Sequence, residues 1–327
     1  MRALLLRELT GPAGLRVEDV PEPEAVEGLV VLDVHAAGAG FVDMLVTRGE
    51  YQIRPELPFV PGIEAAGVVR SAPAGSGLHA GDRVAATTAF GAFAEVAVAP
   101  AFVTFPIPDD MSFEVAAGMV VNYQTAHLGL VRRGRLAAGE AVLVHGAAGG
   151  VGIAAIQVAK AAGAGTVVAV AGSAEKQRVA REAGADVVLG AGEDWVAGVR
   201  EATGGAGADI VVDPVGGERF DLSLRCMAPH GRLLVVGFAG GTIPTLQVNR
   251  LLLRSLDVVG VNYGGSLAFD QAFPAAAHED LIAWWQQGLI DPPVGTVYPL
   301  EDGARALEDF AARRVTGKAV IRVREAD

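Results

Sequence analysis

The stretch that decides the fold reads VLVHGAAGGVG and occupies residues 142–152. An apolar, valine-rich run leads into a glycine cluster, and a helix-like segment follows at residues 151–162. Strand, glycine turn and helix in this order, with the spacing Ala147-x-Gly149-x-x-Gly152, are typical of a dinucleotide-binding turn, although alanine replaces the usual first glycine. The middle glycine would let the backbone approach a pyrophosphate, and the helix N-terminus would offer free N–H groups to it. The alternative is a glycine-rich turn that binds no ligand.

The pattern around this turn extends over residues 123–264, where apolar runs alternate with helix-like segments. The runs lie at residues 141–145, 166–171, 187–189, 209–213, 232–237 and 257–261. Continuous apolar runs indicate strands that are buried on both faces, as a parallel sheet covered by helices requires. The sequence therefore predicts an α/β fold with a doubly wound, Rossmann-type domain at residues 123–264.

The first 122 residues have a different pattern. Short strand-like runs at residues 28–34, 65–69, 82–86 and 93–98 are flanked by glycine, proline or aspartate. Recurring prolines leave little room for long helices. We predict a β-rich domain formed by residues 1–122, and we expect residues 265–327, which end in a strand-like run at 317–323, to return to it.

Composition excludes several classes of protein. Of the 327 residues, 51% are hydrophobic, and 26 basic against 38 acidic residues give a net charge of −12. Such a balance argues against binding to nucleic acid or to an anionic membrane surface. No uncharged apolar stretch approaches the ~18 residues of a membrane span, and the N-terminal apolar run is too short for a signal peptide. With Cys226 as the single cysteine, which permits no internal disulfide, we expect a cytoplasmic protein.

The end of the second strand of the α/β domain predicts the cofactor. An NAD site places an acidic residue there, about 20 residues beyond the glycines, to bind the ribose 2′-hydroxyl. This chain has Gly172-Ser173 instead, followed by Lys176. A hydroxyl and an ammonium without a carboxylate suit a 2′-phosphate, so we predict NADPH. Glu175 is the contrary observation, and a solvated helix charge is the other interpretation of Lys176.

Other catalytic chemistries lack their motifs. The chain has no Gly-x-Ser-x-Gly of an α/β hydrolase, and no Walker motif, since Gly317-Lys318 lacks the following serine or threonine. The six histidines form no His-x-x-x-His or His-x-Glu pair, so we predict no metal site. His145, at the end of a buried strand, is interpreted as a core or cofactor-adjacent group.

Several segments, taken in order along the chain, carry a family resemblance. They are RGEY at 48–51, PGIEAAGVV at 61–69, GDRV at 81–84, HGAAGGVG at 145–152, DPVGG at 213–217 and the closing Gly317-Lys318. Nearly end to end, the sequence resembles the medium-chain dehydrogenase/reductase superfamily in its zinc-free quinone oxidoreductase branch. The resemblance implies a GroES-like fold for the β-rich domain and a homodimer, in which residues 257–261 would form an edge strand that pairs with its copy.

The resemblance also bears on the reaction. Alcohol dehydrogenases of the superfamily carry Gly-His-Glu where this chain has Gly62-Ile63-Glu64, and their cysteine ligands are absent. Without zinc to stabilise an alkoxide, we expect hydride transfer to a small hydrophobic electrophile, which means a quinone or an activated C=C bond of an enone, enal or enoyl thioester. A zinc-type alcohol dehydrogenase relative and a non-catalytic NADPH-binding protein are the alternatives.

The resemblance assigns site residues by position. Tyr51 is the candidate catalytic group, a phenol that donates a hydrogen bond to the substrate, with a half-buried loop tyrosine as the other interpretation. At Gly40 many quinone reductases have asparagine, and at Leu45 a tyrosine, so the substrate side is expected to be more apolar here. Expected cofactor contacts are Gly40, Phe41, Asn122, Thr125, Ala148, Gly149, Gly150, Val151, Gly172, Ser173, Lys176, Val215, Gly237, Phe238, Ala239, Val261, Asn262 and Lys318.

Overall fold

The computed structural model describes residues 1–192, 194–312 and 314–324. The chain forms two compact units. Unit 1 comprises Met1–Val121, Gln271–Ile282 and Pro292–Asp327, and unit 2 comprises Asn122–Asp270 and Ala283–Asp291.

The elements follow one another along both units. The strands are β1 (Arg2–Leu6), β2 (Leu15–Asp19), β3 (Leu29–Ala39), β4 (Glu64–Ser71), β5 (Arg83–Thr87), β6 (Val96–Pro100), β7 (Thr104–Pro106), β8 (Ala141–His145), β9 (Thr166–Ala171), β10 (Val187–Gly190), β11 (Ala208–Asp213), β12 (Met227–Val235), β13 (Asp257–Gly260), β14 (Val294–Pro299) and β15 (Lys318–Arg322). The α-helices are α1 (Phe41–Thr47), α2 (Phe113–His127), α3 (Gly150–Ala161), α4 (Ala174–Glu182), α5 (Trp195–Ala202), α6 (Glu218–Cys226), α7 (Asn249–Arg254), α8 (Tyr263–Ser266), α9 (Phe273–Gln286) and α10 (Gly303–Ala311).

The sheet of unit 2 is parallel and has the order β10-β9-β8-β11-β12-β13. Numbered from β8, this is the order 3-2-1-4-5-6 of two βαβαβ halves, which defines the Rossmann fold. The central strand β8 is inaccessible to water along residues 142–144, because helices cover both faces of the sheet. The predicted doubly wound α/β fold is confirmed.

The main sheet of unit 1 has the order β14-β15-β3-β4-β5-β7, and β6 also pairs with β3. Its pairs are antiparallel except for β14 with β15. The closing strand β15 lies against the long strand β3, with Ile321 opposite Ala37. Leu4, Leu6, Phe93 and Ile321 belong to one buried apolar cluster, so the N-terminal and C-terminal segments share a core. The prediction of a β-rich domain is confirmed.

Residues 265–270 and 283–291 lie in unit 2, outside the range 123–264 that the sequence indicates for the α/β domain. Residues 283–291 fall within the range 265–327 that we expected to pack with the β-rich domain, yet they belong to unit 2. Gln157 of α3 explains this, because its side-chain amide donates to the carbonyl of Asp291 and accepts from the Asp291 N–H, each at 2.9 Å. Such a paired amide contact is invisible in the sequence, since 134 residues separate the two partners.

The start of α3 approaches β8 so closely that only glycine fits at position 152. A Cβ built on Gly152 would lie 2.2 Å from the carbonyl oxygen of Gly146 and 2.8 Å from the Cα of Ala147. Both neighbours are backbone atoms, which cannot rotate away. Gly146 itself has a φ of +59°, a left-handed conformation that glycine adopts without strain. The glycine turn therefore fixes the distance between strand and helix.

Apolar side chains are exposed on α7 and just before it, next to the edge of the unit 2 sheet. Val248, Leu252 and Leu253 are 72%, 81% and 77% exposed. Strand β13, which follows α7, is the last strand in the sheet order and carries valines at its centre. Exposed apolar clusters of this kind beside an open strand edge are typical of protein interfaces. Within the described residues, no helix has both the length and the apolar character to cross a membrane.

The close packing at Gly152 and the open space at Gly172 give the first prediction. Gly152→Ala should lower the free energy of unfolding by about 1–3 kcal/mol, because its Cβ meets backbone that must shift. Gly172→Ala is the matched control, since nothing lies within 4 Å of its built Cβ and its φ is outside the left-handed region. Its unfolding free energy should stay within about 0.5 kcal/mol of the unsubstituted protein. Urea unfolding followed by circular dichroism measures both, and equal effects would contradict the close packing at Gly152.

Candidate functional site

The predicted cofactor residues of unit 2 lie mostly at the carboxyl ends of its parallel strands. In a parallel sheet all strands end on the same side, and ligands bind beyond their carboxyl ends. Most of the predicted residues lie in the loops that follow strands or in the first turns of the next helices. Ala148 to Val151 follow β8, Gly172 to Lys176 follow β9, Val215 follows β11, Gly237 to Ala239 follow β12, and Val261 and Asn262 follow β13. Asn122 and Thr125 belong to α2 and do not follow a strand of this sheet.

The N-terminus of α3 is free of any side-chain cap. Gly149 is the N-cap residue in an extended conformation, and it makes no side-chain cap hydrogen bond within the described part of the chain. Gly149 is exposed and Gly150 and Val151 are half-buried, so the first N–H groups of the helix lie within reach of a ligand. A Cβ on Gly150 would lie 2.4 Å from the amide nitrogen of Asn122, which places that side chain over the turn. Free N–H groups and the positive end of a helix dipole favour an anion here.

The end of β9 has a hydroxyl and an ammonium. Ser173 is the N-cap residue of α4, and its Oγ accepts a hydrogen bond from the backbone N–H of Lys176 at 3.3 Å. The hydroxyl proton of Ser173 remains available to a ligand, since a hydroxyl donates as well as accepts. Gly172 and Ser173 are exposed and Lys176 is half-buried. The acidic residue of this helix start, Glu175, is exposed.

The middle of α2 contains a buried amide that the sequence analysis missed. Tyr123 donates a hydrogen bond of 2.7 Å to the side-chain oxygen of Gln157, which ties α2 to α3, and burial raises its pKa well above the usual value. The next residue, Gln124, is fully buried, and neither of its polar side-chain atoms has a hydrogen-bond partner among the residues that the structure describes. Unsatisfied buried amides are rare in folded proteins and mark places where a polar ligand or water belongs. In the sequence, the only indication of this buried amide is that Gln124 lies between the predicted site residues Asn122 and Thr125.

His145 is a neutral residue of the unit 2 core. Its Nε2 lies 2.8 Å from the Oγ of Ser223, which uses its own proton to bond the carbonyl of Arg219. Nε2 must therefore carry the hydrogen and donate it. Complete burial lowers the pKa of His145 to about 3, so the ring is uncharged at neutral pH. The ring packs edge-on against Trp195 and links β8 to α6. This arrangement favours the core interpretation of His145.

Tyr51 lies in unit 1, just after α1, and is half-buried against the apolar cluster that contains Leu4 and Phe93. Burial first, and the nearby charge of Asp43 second, raise the pKa of the phenol above its usual value. Tyr51 is therefore protonated at neutral pH and can donate a hydrogen bond. Its contact with a substrate stays a prediction.

Gly40 and Phe41 form the start of α1. Gly40 is the N-cap residue, and its N–H donates to the carboxylate of Asp43 at 2.8 Å. Phe41 is 37% exposed, a large apolar side chain at the surface of the turn. Asp43 is almost completely buried, and the sequence analysis did not single it out. An acidic residue three positions after a helix start is the signal that could have found it.

Lys318 is the first residue of β15 and is buried in unit 1, 5% exposed. Its ammonium forms an ion pair with Glu64, which also accepts the N–H of Val121 at 3.1 Å. The predicted cofactor contact of Lys318 stays a prediction, and the ammonium is engaged with a carboxylate of its own unit. Among the described residues, no three His, Cys, Asp or Glu side chains gather as a metal site.

Comparisons with known proteins match this architecture. Residues 26–109 match the family model of the alcohol dehydrogenase GroES-like domain, and residues 150–278 match that of the zinc-binding dehydrogenase. The chain is 37% identical over 326 residues to the rat (Rattus norvegicus) protein "Quinone oxidoreductase-like protein 2", covering 98% of this chain and 91% of that protein.

Solved structures give the same result. A probable oxidoreductase from Mycobacterium abscessus has a TM-score of 0.90 at 45% identity and is covered over 99% of both chains. The Escherichia coli quinone oxidoreductase complexed with NADPH has a TM-score of 0.90 at 30% identity, covering 99% of this chain and 100% of that one. The chain belongs to the quinone oxidoreductase branch of the medium-chain dehydrogenase/reductase superfamily.

Proposed function

We propose that this protein is an NADPH-dependent oxidoreductase that reduces quinones or activated C=C bonds without the help of a metal. The observation that carries the proposal is the uncapped N-terminus of α3 at the carboxyl end of β8, with a hydroxyl and an ammonium after the neighbouring strand. Quinone oxidoreductases among the similar proteins, one of them complexed with NADPH, support the same assignment.

The residues of unit 2 fit a dinucleotide with a 2′-phosphate. The backbone N–H groups of Gly150 and Val151 would hold the pyrophosphate at the start of α3, where glycine leaves the backbone accessible. Ser173 and Lys176 would hold the 2′-phosphate, while Gly172 leaves open space beside them. Gln124 supplies a buried amide with unsatisfied donors and an acceptor, which suits a carboxamide partner. NADPH supplies a hydride for an electrophilic carbon when bound.

The residues of unit 1 would serve the substrate. The position that holds a zinc-binding histidine in the alcohol dehydrogenases is Ile63 in this chain, and Glu64 is engaged with Lys318 and Val121. A substrate must then bring its own electron sink, and the oxygen that gains negative charge needs a hydrogen-bond donor. Tyr51, protonated at neutral pH, is the proposed donor. The exposed ring of Phe41 adds an apolar surface at the start of α1.

We also propose that two copies pair through unit 2. Within the described residues, β13 pairs with no strand other than β12, so its outer edge is open to a further strand. Arg133 donates to the carbonyl of Gly260 on this strand at 3.3 Å and would have to release it. Leu252 and Leu253 of α7 are largely exposed and precede this strand directly. A twofold contact would pair the two β13 edges and cover the leucines.

Substitution of Tyr51 tests the reaction. Tyr51→Phe should lower kcat/KM for enones and quinones by about 10-fold to 100-fold, because a hydrogen bond to a developing charge is worth about 1.5–3 kcal/mol. The KM for NADPH should not change. Tyr298→Phe removes a phenol that bonds Asp309 at 2.6 Å and serves as the control with unchanged turnover. Steady-state NADPH oxidation over a panel of acceptors, with zinc content measured on the same sample, makes the comparison.

Three outcomes of that panel would contradict the proposal. An unchanged turnover number in Tyr51→Phe removes its role as donor. Stoichiometric zinc together with rapid oxidation of simple alcohols favours an alcohol dehydrogenase. Tight NADPH binding without turnover of any acceptor favours a non-catalytic binding protein.

Lys176→Glu tests the cofactor. It should raise the KM for NADPH at least tenfold and leave the KM for NADH nearly unchanged, because only NADPH carries the 2′-phosphate. Arg181→Glu makes the same charge change in the last turn of the same helix and should leave both constants unchanged. Equal effects of Lys176→Glu on the two cofactors would contradict the assignment.

The exposed leucines test the dimer. Size-exclusion chromatography with light scattering should give twice the 33.5 kDa of one chain for the unsubstituted protein. Replacement of Leu252 and Leu253 by lysine should give the monomer, because two charges at the contact cannot be buried without partners. Phe269→Lys, at an exposed position outside α7, is the control that keeps the dimer. A monomeric unsubstituted protein would contradict the pairing.

A further inference from the structure

Unit 1 contains a buried cluster of three charged side chains from three different elements. Asp43 belongs to α1, Glu64 begins β4 and Lys318 begins β15, and they are 1%, 1% and 5% exposed. Lys318 forms an ion pair with Glu64 and attracts the carboxyl group of Asp43. Charged side chains are seldom buried unless they are paired, so the cluster imposes a strict charge balance on this part of the fold.

Glycines make room for the cluster. A Cβ on Gly38 would lie 2.7 Å from the Glu64 side chain and from the carbonyl of Ala117. A Cβ on Gly40 would lie 3.5 Å from the Asp43 carboxylate oxygen and 3.7 Å from the Lys318 ammonium. The backbone of Gly40 therefore passes directly beside both charges. A change in the charge of Asp43 therefore changes the electrostatic environment of the Gly40 backbone.

The cluster has one negative charge too many. Two carboxylates share one ammonium. The phenol of Tyr51, which lies near enough for the charge of Asp43 to raise its pKa in addition to burial, is neutral. Three further charged side chains belong to α10, which packs against α1. Arg305 and Glu308 are exposed, and the half-buried Asp309 accepts hydrogen bonds from Tyr298 and Arg314. Arg48, at the end of α1 itself, is exposed as well. Uptake of one proton would make the buried cluster neutral.

Asp43 is the member that takes this proton. Burial chiefly, and the charge of Glu64 in addition, raise its pKa to about 7, against the opposing effects of Lys318 and of the N–H groups of Gly40 and Gly62. Glu64 has the ion pair with Lys318 and the N–H of Val121 to stabilise its charge. Asp43 has two backbone N–H donors and a share in the ammonium.

We propose that Asp43 is a positioning residue that gains and loses a proton within this buried cluster, and that its charge sets how firmly the turn at Gly40 and Phe41 is held. The ionised carboxylate accepts a charge-assisted hydrogen bond from the Gly40 N–H, which is roughly twice as strong as a neutral one. Protonation weakens that bond and loosens the start of α1. The kinetic consequence rests on the proposed function, in which Phe41 of this turn offers an apolar surface to the substrate.

The sign of the effect on stability follows from the direction of the pKa shift. The carboxyl group binds its proton more tightly in the folded chain than in the unfolded chain, whose pKa is the ordinary 3.8. Ionisation of Asp43 therefore costs the fold free energy, and its contribution to stability falls as the pH rises from about 4 to about 7. Above that range the contribution is constant.

Nuclear magnetic resonance of the ligand-free, deuterated protein tests the proposal without any assay of activity. The amide signals of Gly40 and Gly62 should move together between pH 5.5 and 8.5, with a midpoint near 7. In Asp43→Asn these shifts should be absent. The asparagine side-chain oxygen still accepts the hydrogen bonds, but the side chain no longer has a titrating proton. Asp33→Asn, which changes a carboxylate paired with Arg70 and Arg324, should leave the titration intact. No titration at Gly40, or the same titration in Asp43→Asn, overturns the proposal.

Stability and kinetics supply the second measurement. The unfolding free energy of Asp43→Asn, relative to the unsubstituted protein, should increase between pH 5.5 and 8. With an active preparation, kcat/KM should decrease towards tenfold per pH unit below the midpoint in the unsubstituted protein, and this dependence should be absent in Asp43→Asn. Asp43→Ala, which removes the acceptor, should have low kcat/KM at every pH.

The two readouts separate the proposal from the proposed function. Absence of turnover with every acceptor would contradict the function, while the Gly40 titration in ligand-free protein would still support the role of Asp43. A titrating Gly40 signal with a kcat/KM that does not depend on Asp43 would overturn the claim that this proton governs the turn's function.

Discussion

The close contact of α3 with β8 is the constraint on which the nucleotide side of this protein depends. A helix that starts directly over the end of the central strand must pass within van der Waals distance of the backbone at Gly146 and Ala147, and only a residue without a side chain allows this at position 152. The same approach leaves the first N–H groups of α3 without intrahelical partners at the edge where the other strands also end. The close packing therefore places these N–H groups at the strand ends, where we propose that an anion binds.

The two units bury ionisable side chains in different ways. In unit 2 the buried His145 is neutral, because full burial lowers its pKa and Ser223 accepts its one hydrogen. In unit 1 two carboxylates and an ammonium are buried together, and we propose that a proton on Asp43 neutralises the excess negative charge. Where alcohol dehydrogenases carry a histidine that binds zinc, this chain has Ile63, and the adjacent Glu64 serves an internal ion pair.

Prediction from the sequence succeeded where a local pattern, such as the spacing of glycines or prolines, indicates a single type of structure. Glycines at 149 and 152 after a valine-rich strand predicted the turn and the α/β domain around it, and short proline-bounded runs predicted the β-rich unit. Prediction failed where distant residues meet. The pairing of Gln157 with Asp291 moves a segment between units, and the ion pair of Glu64 with Lys318 joins positions 254 residues apart. The unsatisfied amide of Gln124 is likewise apparent only once its neighbours are known.

The sequence by itself determined the class of fold and the family of the chain, because periodicity, glycine spacing and turn residues are local properties. The position of a dinucleotide at the strand ends stays a prediction of the same local pattern. Only the tertiary structure decided which charges are buried together and which side chains they touch. Burial and proximity depend on the packing of elements that are far apart in the chain, and they set the ionisation of Asp43 and the hydrogen-bonding state of His145.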